Sequence, residues 1–174
     1  MDMIFNFGNF TIDVDRERTA LFYKNSANTP GELCSCRGCQ NFRKAILKAP
    51  KDVLDFLDSL GINPADPADI CDAAGEIFDD GTICYAGFYH ICGKLIDVPD
   101  CFRKGSPINA ETANIRSLAS YRIGENNDFS FEFTDDVMLF QKDFPKPCIQ
   151  LDFYMYLPCV MEELYQKEKS IKRT

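Results

Sequence analysis

Apolar and polar residues alternate in several segments of the chain, and this period of two indicates β-strands. Residues 3–14 are rich in Phe and Ile and predict a strand or a hairpin. Between 76 and 97 the pattern predicts a strand, an Asp-Gly turn and a long second strand. Further strands are predicted at 119–124, 128–133, 136–141 and 148–156.

Other segments carry the start and stop signals of amphipathic helices. Asp15 predicts the N-cap of a helix that runs to Lys24, with a second strand as the alternative there. Residues 39–49 are predicted to be helical. Pro50 opens a further helix that ends at Gly61, a residue type that favours the position after a helix. Asn109 predicts the cap of a short helix over 110–118.

Proline marks two more predicted helices, and loop composition marks one connection. Asp66 and Pro67 supply a cap and a first helical position, with Asp69 three residues after the cap, which predicts a short helix at 67–74. Pro158 predicts the start of a last helix, and residues 25–38 have the composition of a loop. The basic residues of 167–174 suit the negative end of that last helix.

Together these elements predict one α+β domain over 1–174, built from a mostly antiparallel sheet with several short helices packed on it. A chain of 174 residues suffices for one core without covalent staples, and the pattern contains no internal repeat or linker. Hydrophobic residues make up 45% of the chain and aromatic residues 13%, which excludes a disordered protein.

Charge and cysteine content narrow the class of protein. The formal net charge of -8 disfavours binding to nucleic acid and to anionic membranes, and it suits a basic partner. The first residues lack the basic and apolar regions of a signal peptide, and no segment reaches the roughly 20 apolar residues of a membrane span. We therefore expect a cytoplasmic protein whose nine cysteines, an odd number, are reduced thiols or metal ligands.

The acidic residues are concentrated in one region. Residues 51–80 contain nine acids and one lysine, a net charge of -8. Asp52, Asp55 and Asp58 recur every third residue, opposite the apolar stripe of their helix. The functional interpretation is a docking surface for a basic protein such as a nuclease toxin. The structural interpretation is a solvated helix face with two capping residues.

Three interpretations compete for the cluster of Cys34, Cys36 and Cys39. These thiols could bind zinc with a distant fourth ligand, for which His90, the only histidine, is the first candidate. Cys71 and Cys101 are further candidates, and on the long strand His90 shares its face with Cys84 and Cys92. Alternatively the cysteines pack a loop as small buried residues. The third interpretation is thiol redox chemistry, favoured by nearby basic residues and a predicted helix start.

The segment CSCRGCQNFRKA, with TIDVDRERTALFY before it and YHICG after it, resembles a family of uncharacterised bacterial proteins of similar length. The resemblance spans most of the chain and centres on a C-x-C-x-x-C-x-N-F motif. It implies no activity and no catalytic residue. It does imply that Cys34, Cys36, Cys39 and His90 act together.

No established catalytic motif is present, and GFYHICGKL lacks both the spacing and the hydroxyl of a phosphate-binding loop. We therefore expect a non-enzymatic acidic binding protein, of immunity or antitoxin type, that docks a basic partner through residues 51–80. The alternative is a metal- or thiol-dependent protein that uses the cysteine cluster with His90, with zinc as its cofactor. A structural or assembly subunit is the second alternative.

Overall fold

The computed structural model describes residues 2–25, 34–107, 109–123, 129–138, 143–161 and 163. Within these ranges the fold is α+β, as predicted, with one antiparallel sheet of seven strands and four α-helices. The strands are β1 (Asp2–Phe7), β2 (Phe10–Asp15), β3 (Asp69–Asp72), β4 (Thr82–Asp97), β5 (Tyr121–Ile123), β6 (Phe129–Thr134) and β7 (Cys148–Pro158). The helices are α1 (Arg16–Asn25), α2 (Arg37–Ala45), α3 (Lys51–Ser59) and α4 (Ala110–Ala119), with 3-10 helices at Ile46–Lys48 and Asp100–Phe102.

The long strand β4 organises the sheet. The strand order is β1-β2-β4-β7-β6-β5, and β3 also pairs with β4. One edge of β4 pairs with β7 from Thr82 opposite Pro158 to Cys92 opposite Cys148. The other edge is shared, because β3 pairs with residues 85–88 and β2 pairs with residues 93–97.

Helix α1 covers the part of β4 that lies between these two partners. The Tyr23 hydroxyl donates a hydrogen bond to the carbonyl of His90 at 3.0 Å and accepts one from the N–H of His90 at 3.1 Å. The Thr19 hydroxyl oxygen accepts a hydrogen bond from the N–H of Cys92 at 3.0 Å. These side chains satisfy strand groups that would otherwise be buried without a partner, and they fix α1 against the sheet.

The two faces of the sheet differ in chemistry because side chains alternate along each strand. One face, the inner face, packs its aromatic residues against α2 and α3. Phe56 of α3 stacks on Phe131 with ring centroids 4.4 Å apart, and Phe42 of α2 packs edge-on to Tyr85 at 5.2 Å. On the opposite, outer face β6 and β7 carry polar residues, and α4 contributes an arginine over them.

Several predicted helix ends are confirmed. The Asp15 carboxylate accepts the N–H of Arg18 at 3.0 Å, at the start of α1. Asn109 forms a reciprocal capping box with Thr112 at the start of α4. Gly61 follows α3 with φ of 78°, where a side chain would place its Cβ 2.4 Å from a backbone oxygen of α1.

The prediction of a helix at 67–74 is wrong, because this segment contains strand β3. Its residues pair with β4 from Asp69 opposite Phe88 to Asp72 opposite Tyr85. Ile70 turns inward and is 8% exposed. The proline and cap signals are local preferences, and a helix of this length is marginal without tertiary support. Pairing with the open edge of β4 satisfies the backbone and buries Ile70 instead.

The remaining predictions are confirmed in part. Residues 76–78 are not a strand, although Phe78 and Thr82 do close the predicted turn through Phe78 N–H and Thr82 O at 2.9 Å. Of the predicted strand 136–141, residues 136–138 are irregular and the rest lies outside the described residues. Pro158 ends β7, and most of the predicted last helix, with the basic tail 167–174, also lies outside them.

Candidate metal centre

Three cysteine sulfurs converge in the segment 34–39, which we call the cysteine turn. The Sγ atoms of Cys34, Cys36 and Cys39 all lie within 4.8 Å of one another. The sulfurs of Cys34 and Cys36 are 3.2 Å apart. Cys36 is exposed, Cys34 is half-buried and Cys39 is buried, so the group lies between the surface and the core.

The start of α2 produces this convergence. Cys36 is the N-cap residue, with extended backbone, and its sulfur accepts the N–H of Cys39 at 3.5 Å. The positive end of the helix therefore faces the sulfurs, where negative thiolates are favoured. Gly38 lets α2 approach β3, because a Cβ there would lie 3.2 Å from the Cβ of Asp72.

The two residues that end the motif anchor the turn to the sheet. Asn41 is fully buried, and its amide donates to the Tyr85 hydroxyl at 2.9 Å and to the carbonyl of Pro158 at 3.2 Å. Its side-chain oxygen accepts the N–H groups of Val160 and Met161 at 2.8 and 3.1 Å. Asn41 therefore has a partner for each of its hydrogen-bonding positions. The C-x-C-x-x-C part of the motif supplies the sulfurs, and the following N-F part supplies buried anchors.

Polar side chains of α2 hold the loop that carries Cys34. The guanidinium of Arg43 donates to the carbonyl of Cys34 at 2.6 Å. The amide of Gln40 donates to the carbonyl of Ser35, and the guanidinium of Arg37 reaches the carbonyl of Gly75 at 3.2 Å. Arg43 and Gln40 thus fix the backbone of the cysteine turn, and the Arg37 side chain ties the turn to Gly75.

The thiols differ in their ease of ionisation. Hydrogen bonds from Cys36 and Cys39, with the nearby Arg43 guanidinium, hold the pKa of Cys34 below its usual value. Burial raises the pKa of Cys39 above its usual value, and the neighbouring sulfurs raise it further. Cys34 is accordingly the readier thiolate, whereas Cys39 needs a positive charge nearby to ionise. A metal ion supplies such a charge, and metal-bound thiols are deprotonated.

The sulfur spacing is compatible with a tetrahedral zinc site. Zn–S bonds of about 2.3 Å at tetrahedral angles put sulfurs about 3.8 Å apart. All three sulfur separations are at most 4.8 Å, and Cys34 and Cys36, at 3.2 Å, must separate by about 0.6 Å to reach this spacing. Three thiolates would supply three of the four ligands that zinc takes, and soft sulfur donors favour zinc or copper(I) over magnesium and calcium.

His90 does not join this group within the described residues. It is fully buried on β4, and its Nε2 lies 2.7 Å from the carbonyl oxygen of Met138. Its ring contacts Phe88 and Phe144, whereas α2 packs on Tyr85, which has the opposite parity on β4. Because neighbouring positions on a strand point to opposite faces, His90 and the cysteine turn lie on different faces of the sheet.

The other cysteines considered as ligands are also outside the group. The convergent set contains three members among the described residues. Cys84 and Cys92 share the face of His90, and Cys71 of β3 pairs with Ala86 on that same outer face. Cys101 belongs to the 3-10 helix at Asp100–Phe102. The cysteine turn thus has no sequence-predicted fourth ligand from these residues.

The acidic residues predicted to dock a partner lie on the surface of α3, and we call Asp52, Asp55 and Asp58 the aspartate face. Each has a local partner. Asp55 pairs with Lys51 one turn earlier, and Asp58 pairs with Arg16 of α1 at 3.0 Å. Asp52 lies in the first turn and accepts the N–H of Val53 at 2.9 Å. The aspartate face is therefore exposed but partly neutralised.

A second polar site lies on the outer face of the sheet and was not predicted from the sequence. Arg116 of α4 reaches over the sheet and donates twice to one oxygen of Glu132. Asp152 accepts a hydrogen bond from the Gln150 amide at 2.7 Å. Burial raises the pKa of Asp152 to about 6 from an ordinary value of 3.8, and Glu132 adds to this effect. The signal was present in FSFEFT and LDFYMY, where an acid occupies the outward position of an aromatic strand.

Three comparisons with known proteins found no match to this chain. No protein-family model matches the chain, no curated protein matches it, and no solved structure matches it. Among the described residues, no helix combines the length and the apolar character that a membrane span requires.

Proposed function

We propose that this is a metal-binding protein in which Cys34, Cys36 and Cys39 hold a zinc ion as thiolates. The observation that carries the proposal is the convergence of three sulfurs within 4.8 Å at the start of a helix. A helix N-terminus and a backbone N–H directed at Cys36 both favour negative sulfur, which is the form that binds metal.

The packing alternative explains this geometry less well. Cysteine that serves only as a small apolar residue is among the most buried residue types. Cys39 fits that description at 6% exposed, but Cys36 is exposed and Cys34 is half-buried. The anchoring function belongs to Asn41 and Phe42, which are both buried beneath the turn. The sulfurs at the surface end are thus available for chemistry.

Metal analysis of protein purified without chelator tests the proposal. We expect zinc in a stoichiometric amount, lost in Cys36→Ser and retained in Cys71→Ser. Cys71 is the matched control because it is an exposed cysteine outside the cysteine turn. Zinc retained in Cys36→Ser would contradict the proposal.

Thiol redox chemistry is the competing outcome of the same experiment. The pair Cys34 and Cys36 has the close sulfurs and the lowered pKa of Cys34 that thiol–disulfide exchange favours. The protein could be metal-free, and mild oxidation could protect these two cysteines from alkylation. That pair of results would indicate a dithiol function instead of zinc binding.

A second candidate function is docking of a basic protein by the aspartate face. The observation that favours it is exposure, since the side chains of Asp55 and Asp58 are 62% and 79% exposed. Opposite charge at such a surface steers a partner and accelerates association. The cytoplasm, where a toxin-neutralising protein would act, stays a prediction.

Binding of a lysine-rich peptide at low ionic strength tests this second function. The triple variant Asp52→Asn, Asp55→Asn, Asp58→Asn should bind more weakly and lose its salt dependence. A matched triple variant removes the same charge elsewhere, at the exposed residues Asp97, Asp100 and Glu111. Equal losses of affinity in both variants would show that the net charge of the protein, and not the aspartate face, determines peptide binding.

A further inference from the structure

Four residues form a straight line across the outer face of the sheet, which we call the cross-strand row. Asp69 of β3 is opposite Phe88 of β4, Phe88 is opposite Asp152 of β7, and Asp152 is opposite Glu132 of β6. All four line one open cavity of about 490 Å³. The row therefore presents acid, aromatic ring, acid and acid in spatial order.

Two neighbouring carboxylates of the row, Asp152 and Glu132, each keep one oxygen for a ligand. Arg116 binds Oε1 of Glu132, and Gln150 binds Oδ1 of Asp152. The second oxygen of each carboxylate has no hydrogen-bond partner among the described residues. Neither oxygen is fully buried. Among the described residues, the one fully buried side-chain oxygen or nitrogen without a hydrogen-bond partner is Oδ1 of Asp13. The second oxygens are therefore accessible to solvent, on two residues that line the cavity.

The charge of the cavity selects a cation. The row carries three carboxylates, Asp136 adds a fourth, and among the described residues Arg116 is the one basic residue that lines this cavity. A compact divalent metal fits poorly, because the described carboxylates contain no group of three with ligand atoms within 4.8 Å. The site suits a cation whose charges are spread along its length.

We propose that the cross-strand row binds a linear aliphatic polyamine. Neighbouring strands lie about 4.8 Å apart, so Asp152 and Glu132 can share one ammonium group. Asp69 lies two strands from Asp152, about 10 Å away, where it can hold a second ammonium group.

The floor between the two charged ends is apolar, as a methylene chain requires. Phe88 lies between Asp69 and Asp152 in the row and is 5% exposed. Tyr154 lines the same cavity and is 59% exposed, so its ring is available at the wall. Aromatic faces also attract ammonium groups, which adds to the contact with the aliphatic stem.

Calorimetric titration with linear diamines of increasing chain length tests the proposal. We expect affinity to rise to a maximum at the homologue whose ammonium groups span about 10 Å. Spermidine should bind, and the neutral diol of the same length should not. No saturable binding of any amine at millimolar concentration would overturn the proposal, as would an affinity independent of chain length.

Two conservative variants locate the two ends of the ligand. Asp152→Asn should weaken diamine and monoamine binding about tenfold or more, since each loses a charged hydrogen bond. Asp69→Asn should weaken diamine binding and leave monoamine binding unchanged, because only the second ammonium group reaches it. Asp79→Asn removes an exposed acid outside the cavity and should leave both affinities unchanged. Equal losses in all three variants would show a general charge effect and overturn the site.

Proton release gives an independent readout. Asp152 shares the cavity with Glu132, Arg116, Asp69 and Asp136, and its pKa is raised to about 6. A bound ammonium group lowers that pKa, so diamine binding at pH 6 should release protons, measured as a heat that depends on the buffer. The release should vanish in Asp152→Asn. If the cavity binds a lysine-rich peptide but no diamine, its ligand is a protein partner and not a polyamine.

Discussion

The cysteine turn and the aspartate face are both clusters of one residue type near the protein surface, yet the fold uses them differently. The cysteine turn has its side chains directed at one another by the start of α2, and Gln40 and Arg43 of that helix hold its backbone. The aspartate face has its side chains spread along α3, with a local partner for each carboxylate. A cluster of like residues forms a binding site when its side chains converge on one point, whatever the number of residues in the cluster.

The largest effect should come from breaking the anchor of the cysteine turn. Asn41→Ala removes four hydrogen bonds and leaves buried groups without partners. We expect the free energy of unfolding to fall by about 3 kcal/mol or more. Urea denaturation measures this, with Gln40→Ala as the half-exposed control that should cost under about 1 kcal/mol. Similar losses of stability in both variants would show that Asn41 is not the anchor of the cysteine turn.

A shielded carboxylate should behave unlike the exposed aspartates. Between the ordinary value of 3.8 and about 6, the folded chain keeps a proton on Asp152 that the unfolded chain releases. Its contribution to stability is therefore present below about pH 4 and is lost as the pH rises to about 6.

Asp152→Asn cannot ionise, so it should gain stability relative to the wild type, by up to about 3 kcal/mol, between pH 4 and pH 7.5. Denaturant unfolding at both pH values measures the difference. Asp55→Asn is the control, since its carboxylate is exposed. A pH-independent difference between Asp152→Asn and the wild type would contradict the assigned environment of Asp152.

Zinc should stabilise the folded chain through the cysteine turn alone. At a free concentration of about 100 times its Kd, zinc should add about 2.7 kcal/mol to the free energy of unfolding. Thermal unfolding with and without chelator measures this. Cys71→Ser should keep the gain and Cys36→Ser should lose it. A gain that survives in Cys36→Ser would indicate zinc bound elsewhere.

The smallest effect is expected on the aspartate face. Asp55→Asn breaks an exposed pair with Lys51 within one helix, which is worth little in water. We expect a change in the free energy of unfolding within about 0.5 kcal/mol, reduced further by added salt. A loss above about 1 kcal/mol in chemical denaturation would show that the aspartate face has a structural role.

Local signals in the sequence were sufficient where local chemistry decides the structure. The caps at Asp15 and Asn109 and the stop at Gly61 were predicted because each depends on a few neighbouring residues. The segment 67–74 was predicted as a helix because nothing in its own residues indicates pairing with another strand. Its strand forms through pairing with β4.

The candidate sites show the same division between local and distant contacts. The three cysteines of the turn lie within six positions, so their convergence could be predicted. The placement of His90 depended on which face of β4 receives α2, and the sequence does not show that. The cross-strand row joins four strands, from residue 69 to residue 152, and only the register of the sheet brings its members together.

X-ray absorption at the zinc edge of zinc-loaded protein identifies the atoms bound to the metal. Zinc binding by the cysteine turn predicts three sulfur neighbours at about 2.3 Å and a fourth ligand, either sulfur or a lighter atom, with one sulfur fewer in Cys36→Ser. A shell of oxygen and nitrogen atoms alone, or a spectrum that Cys36→Ser leaves unchanged, would contradict zinc binding by the cysteine turn.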